Sequence, residues 1–376
     1  MFKVLTVVGA RPQFVKAAMV SGAIVQHNEA ASAGERIEEI ILHTGQHYDE
    51  NMSRVFFDEM GIAEPAVNLN VGSGLHGETT AAMLAGIERE IIEHKPDVVL
   101  TYGDTNSTVA ASLAAAKLHV PVAHVEAGLR SYNRRMPEEI NRIVTDHLST
   151  LLFCPTSTAV RNLQTEGITS GVHLIGDVMY DAAMFFGRIA EEKSDVLARY
   201  GLDKKSYSLA TVHRAENTDD KQRLSAIMTA LVQCADEGFP IVLPLHPRTR
   251  HALLSNGLVE EEGKHLTLVE SSHVKIIPPV SFLDMVMLEK HAGIILTDSG
   301  GVQKEAYFHG APCITLRDET EWVELVDAGA NTLVGANVDA IITAFSDAKT
   351  KTIKTTDLYG KGHSAGRIVN CLLNIE

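Results

Sequence analysis

A chain of 376 residues is too long for one ordinary hydrophobic core, so two domains are the default expectation. Hydrophobic residues make up 45% and both charge signs are interspersed, which describes a globular chain rather than a disordered or fibrous one. Lysine and arginine number 33 against 48 acidic residues, a net charge of −15. Nucleic acid and anionic membrane are therefore set aside as main partners, and an anionic ligand must be gripped by local cations and backbone amides.

In chain order, Phe2 to Val8 reads as an apolar strand closed by Gly9, Ala10, Arg11 and Pro12. Pro12 suits a first helical turn, and Phe14 to Ile24 carry a helical apolar pattern. Arg11 and Lys16 thus stand at a helix start that follows a strand, a candidate anion seat. Ile37 to Leu42 is a second strand, followed by His43, Thr44, Gly45, Gln46 and His47. Gly45 between the two histidines marks a loop rather than a shared helix face, so a metal is not expected there. Asn51 to Met60 and Gly77 to His94 read as helices, and Pro96 to Tyr102 returns to strand.

The stretch from Tyr102 to Arg142 is the densest in chemistry. A strand ends at Gly103, Asp104 and Thr105, and an alanine-rich helix runs over Ser107 to Leu118. The next strand, Val120 to Glu126, leads to a loop with Arg130, Arg134 and Arg135, then Pro137, Glu138, Glu139 and a helix to Leu148. In a parallel sheet, residues just beyond the carboxyl ends of strands line one crevice. Asp104 and Glu126 hold that place on successive strands and Glu138 opens the next helix. Carboxylates gathered there raise one another's pKa and suit proton abstraction and donation. Glu139 reads instead as a helix-start acid.

Strand Leu151–Pro155, helix Ser157–Glu166 and strand Val172–Ile175 close the first half, after which the alternation restarts. The second half reads strand Tyr207–Val212, helix Asp220–Glu237, strands Ile241–Leu245 and His265–Val269, helix Phe282–Lys290, then strand Gly293–Thr297. His213 and His246 stand at strand mouths, with His213 the choice for contact to a phosphate or leaving group. Asp298, Ser299, Gly300 and Gly301 break the last strand before a new helix. A strand ending in Ser-Gly-Gly at a helix start is a phosphate seat: the amides of the first turn point at the ligand and the glycines let it approach. Glu305, one turn on, can reach the hydroxyls of an attached ribose. The expected architecture is α/β, two Rossmann-like doubly wound domains facing a cleft. The expected domains are residues 1–172, residues 173–362, and a closing helix over 363–376 that returns to the first domain.

The four cysteines are scattered, without a Cys-x-x-Cys pair, and the chain opens directly on a strand. Both features point to a reduced, cytoplasmic protein, and no apolar run reaches membrane-spanning length.

Seven stretches, in order, then carry a family resemblance. They are Gly9-Ala10-Arg11-Pro12 with Lys16, His43-Thr44-Gly45-Gln46-His47, Tyr102-Gly103-Asp104-Thr105, and His124-Val125-Glu126-Ala127-Gly128-Leu129-Arg130. The others are Pro137-Glu138-Glu139 with Asn141-Arg142, Val212-His213-Arg214 with Glu216-Asn217, and Thr297-Asp298-Ser299-Gly300-Gly301-Val302-Gln303 with Glu305. Over nearly its whole length the chain resembles the non-hydrolysing UDP-N-acetylglucosamine 2-epimerases. The resemblance implies a glycosyltransferase-B arrangement, a homodimer, and inversion at carbon 2 of a UDP-sugar without NAD, other cofactor or metal. It also implies elimination of UDP to a bound glycal followed by re-addition, in the supply of surface polysaccharide precursors. On this reading Asp104, Glu126, Glu138 and His213 carry the catalysis. Arg11, Lys16, Arg135, Asn217, Ser299, Gly300, Gly301 and Glu305 hold substrate. Gln46, His47 and His246 are candidates for a regulatory or second-sugar site. Arg11-Pro12-Gln13 in place of Arg-Pro-Glu, and the Glu319 to Glu324 stretch, look like the branch acting on UDP-2,3-diacetamido-2,3-dideoxyglucuronate, whose carboxylate Arg134 or Arg135 can pair. The competing readings are a glycosyltransferase of the same architecture, a hydrolysing 2-epimerase, and a non-catalytic nucleotide-sugar sensor.

Overall fold

A computed structural model describes residues 1–32, 34–45, 64–236, 238–262, 265–268 and 273–375. The expected helix Asn51 to Met60, and with it Gln46 and His47, lies outside the described residues. The chain divides into two units, residues 1–182 with 357–376, and residues 183–356. This division falls downstream of residue 172 because the helix Val178–Lys193 runs through it, and residues 357–362 belong with the first unit.

Among the described residues the first unit holds seven parallel strands: β1 Phe2–Val8, β2 Ile37–His43, β3 Val67–Asn68, β4 Val98–Tyr102, β5 Val122–Val125, β6 Leu151–Cys154 and β7 Val172–Leu174. Their order is β3-β2-β1-β4-β5-β6-β7, so the winding direction reverses between β1 and β4. All five residues of β4 are buried, as a strand covered on both faces requires. Leu5, Val7, Leu42 and Val99 pack against Met83, Ile87, Ala110 and Ala114 of the covering helices. Small alanines let the helix Asn106–Lys117 approach closely, and Thr105 caps its start by accepting from the Thr108 amide. The closing helix Ser364–Leu372 packs on the helix Arg11–Ala30 of the same unit, and the Ala365 amide donates to Asp181.

The second unit repeats the plan with β8 Ser208–Thr211, β9 Ile241–Pro244, β12 Val274–Ile277, β13 Ile294–Thr297, β14 Cys313–Thr315 and β15 Asn331–Leu333. The order β12-β9-β8-β13-β14-β15 is again parallel and reverses between β8 and β13. One expectation is corrected here: the strand expected at His265–Val269 is not a member of this sheet. Its described part, β11 His265–Leu268, pairs antiparallel with β10 Val259–Glu262 as a separate hairpin. The third strand of the sheet is β12, whose Val-Lys-Ile-Ile run was too short to separate from a loop by periodicity. No helix among the described residues is long and apolar enough to cross a membrane.

Candidate active site

In the first unit the functional side chains gather where the winding reverses. Lys16, on the helix after β1, donates its ammonium to the Glu126 carboxylate just beyond β5, and both side chains are about nine-tenths buried. Glu126 adopts φ 75°, a left-handed backbone that a non-glycine residue holds only under constraint from its surroundings. Its amide and that of Ala127 both donate to Phe153 O at 3.1 Å, which fixes that geometry. Gly103, also left-handed, brings its backbone against this pair. A Cβ there would lie 3.4 Å from Glu126 Oε2 and 3.5 Å from Lys16 Nζ.

Asp104 follows Gly103 and is ion-paired with Arg142, which also reaches Glu139 at 2.6 Å. Asp104 and Glu126 therefore each face a cation. This replaces the expected mutual repulsion of carboxylates with carboxylate–cation pairing. Glu138 is half-buried in the first helical turn of Pro137–Leu148, and Arg134 and Arg135 are exposed just before it. Glu139 is buried, and its carboxylate accepts from the Ser131 and Tyr132 amides and the Ser131 hydroxyl. Burial alone would raise it, but those amides and Arg142 hold it below the usual carboxylate value. Rather than only starting a helix, Glu139 ties down the arginine loop.

A second buried network lies beneath. His124 places Nδ1 2.7 Å from Asp146 and Nε2 2.7 Å from Gly103 O, and since a carbonyl only accepts, Nε2 carries a proton. Asp146 also accepts from Arg130 at 2.7 Å and the Gly128 amide at 3.1 Å. Burial pushes its carboxyl up, and His124 and Arg130 overcome that and hold it low. Gln13 joins the two strands at the reversal. Its Oε1 accepts from the Gly9 and Ala10 amides at 2.8 and 3.0 Å, while Nε2 donates to Tyr102 O and Thr108 Oγ1. The anion seat expected beside Arg11 and Lys16 thus has two backbone donors already occupied by a side chain. Arg11 lies in the first helical turn.

In the second unit the corresponding point is organised by Asp298, which is fully buried after β13. It accepts from the His213 and Arg214 amides at 3.0 Å each and from Asn217 Nδ2 at 3.1 Å. Asn217 is itself fully buried, donating also to Leu316 O and accepting from Arg223 Nε. It holds the loop in shape instead of presenting its amide to a ligand. Thr211 and Thr297 share a 2.6 Å hydroxyl bond across the reversal. Burial, with Arg214, His246 and Arg248, keeps the His213 imidazole below its ordinary pKa despite Asp298. His246 lies 5.7 Å from it, ring centre to ring centre, and is likewise lowered by burial and Arg248. His246 Nδ1 caps the helix Pro247–Ser255 by accepting from the Arg248 amide.

The helix Gly300–Phe308 starts as the sequence indicated, with Ser299 as its cap. Gly301 is exposed, whereas a Cβ at Gly300 would lie 2.4 Å from Glu321 Oε1, so any larger residue there must displace that carboxylate. Glu305 leans back over that first turn, its Oε2 3.9 Å from a Cβ built on Gly301. Among the described residues, no group of three or more His, Cys, Asp and Glu side chains is arranged to hold a metal.

Sequence reasoning missed the structural roles of Gln13, His124, Asp146 and Asp298. Glu139, Arg142 and Asp146 recur at intervals of three and four, and that charged stripe on one helix face was a readable signal. Gln13 and Asp298 carried no local signal of a partner, because each works by bridging distant strands.

Two doubly wound units, one with cation-paired acids at its strand ends and one with a helix that starts at Ser299-Gly300-Gly301, define an α/β protein of the nucleotide-binding type. The UDP-N-acetylglucosamine 2-epimerase family profile matches residues 29–373. The UDP-2,3-diacetamido-2,3-dideoxy-D-glucuronate 2-epimerase of Pseudomonas aeruginosa is 49% identical over 99% of this chain and 100% of its own. The crystal structure of Methanocaldococcus jannaschii UDP-GlcNAc 2-epimerase in complex with UDP-GlcNAc and UDP superposes with a TM-score of 0.87. It shares 42% identity over 99% of both chains. The Neisseria meningitidis enzyme bound to UDP-GlcNAc gives 0.86 at 32% identity over both full chains. The chain belongs to the UDP-N-acetylglucosamine 2-epimerase family.

Proposed function

We propose that this epimerase inverts carbon 2 of a UDP-linked acetamido sugar by removing and returning UDP. A carboxylate takes the carbon-2 proton as the carbon-1 to oxygen bond breaks. The bond electrons leave with the diphosphate, and a double bond forms between carbons 1 and 2. A proton delivered to the opposite face and return of UDP to carbon 1 complete the inversion. The observation that carries this reading is the Lys16–Glu126 pair seated against the Gly103–Asp104 turn. It sets one buried, lysine-paired carboxylate against the turn that carries a second, more exposed one paired with Arg142, two acids of different surroundings as proton removal and delivery require. Glu138 is assigned to the same proton traffic. Arg11, His213 and the Ser299, Gly300 and Gly301 amides are assigned to the charge that builds on departing diphosphate, and Glu305 to the ribose.

Incubation with the UDP-sugar alone in deuterium oxide tests it: deuterium at carbon 2 and a mixture of two epimers are expected. Stoichiometric free UDP would point to hydrolysis, and no change without an acceptor would point to glycosyl transfer.

We assign the 2,3-diacetamido uronate as the preferred sugar. The 49% identity to an enzyme of that name and the exposed guanidinium groups of Arg134 and Arg135 before Glu138 support this assignment. A head-to-head comparison of kcat/KM on that sugar and on UDP-N-acetylglucosamine decides it. We further read the enzyme as a cytoplasmic homodimer feeding surface polysaccharide synthesis, the oligomer being testable by sedimentation equilibrium. His246, with Gln46 and His47, is retained as a candidate second-sugar site, for which a sigmoidal rate curve is the test.

A further inference from the structure

The turn that carries Asp104 is gripped at three consecutive carbonyl oxygens, each by a side chain from a different element. Gln13 Nε2 donates to Tyr102 O at 2.6 Å, His124 Nε2 to Gly103 O at 2.7 Å, and Asn141 Nδ2 to Asp104 O at 2.9 Å. Backbone pairing does not need this, since the Gly103 amide already bonds Val125 O at 3.0 Å. Three side-chain donors on three adjacent carbonyls leave the peptide planes from 102 to 104 little freedom to rotate. The same turn holds Gly103 in a left-handed conformation against Glu126 and Lys16.

The middle grip is the most deeply built. His124 is fully buried, and its Nδ1 side is fixed by Asp146, which is in turn fixed by Arg130 and the Gly128 amide. Arg130 ends the chain on Glu166 through two bonds of 2.7 and 2.6 Å. Beginning at the Glu166 carboxylate, a line of donors and acceptors thus terminates on the carbonyl next to Asp104. Every polar atom along it faces a partner of the right kind, which is what a rigid buried network demands.

From this we infer that His124 and Asn141 are positioning residues, which fix where the Asp104 carboxylate stands relative to the Lys16–Glu126 pair. This rests on the epimerase reading above. Neither residue need touch the sugar. A carboxylate displaced by about 1 Å from a reacting atom can lose on the order of a hundredfold in rate, while binding made elsewhere is unaffected.

Three variants test it. His124→Phe removes the donor and His124→Gln places an amide nitrogen near the Nε2 position. Asn141→Ala loosens the neighbouring carbonyl and leaves the Asp146 network intact, so it remains informative should His124→Phe fail to fold. Expected are a fall in kcat of about a hundredfold for His124→Phe and about tenfold for Asn141→Ala, with KM within about threefold of wild type in both. His124→Gln should recover at least tenfold over His124→Phe. Wild-type kcat in either Asn141→Ala or a folded His124→Phe overturns the inference. So does a loss confined to KM, or a His124→Gln no better than the Phe variant. Crystal structures of the variants separate this from the functional reading. If wild type shows no carbon-2 exchange, the epimerase reading falls alone, and an unmoved 102–104 turn in the variants overturns the positioning role independently.

Discussion

Lys16→Met is the sharpest test of the buried pair in the first unit. Lys16 and Glu126 side chains are 8% and 10% exposed, so removing the ammonium strands a carboxylate with little water to replace it. Breaking such a pair by truncating one partner costs about 3–5 kcal/mol, much of it the penalty on the group left behind. Taking the lower figure, since some water reaches both groups, about 3 kcal/mol lowers Tm by roughly 6–12 °C for a unit of this size. The double variant Lys16→Met with Glu126→Gln should recover more than half of that loss, because no charge is then stranded. Thermal unfolding followed by circular dichroism, read on the transition of the first unit, measures all three proteins. UDP titration calorimetry on the same samples should show affinity within about threefold if the nucleotide seat lies in the second unit. A Tm for Lys16→Met within about 1 °C of wild type would refute the claim that the pair is desolvated. A double variant as unstable as the single would refute the coupling.

Asp104→Asn and Glu126→Gln should each lower turnover by about a hundredfold or more with UDP affinity nearly intact, as read by deuterium exchange and calorimetry. Glu305→Ala should weaken UDP by about tenfold, and unchanged affinity would remove it from the ribose role. Gly103→Ala puts a Cβ on a left-handed backbone, with the methyl in ordinary contact with Glu126 and Lys16, so a loss of about 1–2 kcal/mol from backbone strain and a fall in kcat are expected. His309 in the second unit is held down to about 3 by burial and by Lys290, Lys205 and His291. An unfolded chain protonates it near 6.5 while the folded one refuses the proton, so stability is full above 6.5 and declines as pH falls toward 3. His309→Asn should flatten that part of the Tm-against-pH curve.

The parallel strands were legible wherever an apolar run ended in a glycine or acid, as at Val8, Tyr102, Val125 and Thr297. Parallel sheets buried on both faces write themselves as such runs. The short β12, β14 and β15 were not legible, because runs of three or four residues with a lysine, asparagine or threonine among them fit a loop or a helix end equally well. Within the site, residues at strand mouths could be named from position alone: Asp104, Glu126, His213 and the Ser299-Gly300-Gly301 run. Their partners could not. Arg142 meets Asp104 and Asn217 meets Asp298 only after strands far apart in sequence are laid side by side. Asn217 illustrates the limit: it stands in a suggestive motif, yet its amide is turned inward.

Gln13 has a consequence for how two halves of one topology divide their labour. In a dinucleotide fold the amides at the first strand-to-helix bend are where a diphosphate docks. In the second unit that bend follows β8 and Asp298 already holds its His213 and Arg214 amides, so the exposed helix start there is the later one, at Gly301. The first unit plugs its own version from within, the Gln13 carbonyl standing in for a phosphate oxygen on Gly9 and Ala10. Both of those amides already have an acceptor and are not offered to a phosphate. Shortening that side chain, as in Gln13→Gly, is where an engineer would begin to give the acid-bearing half a nucleotide pocket of its own.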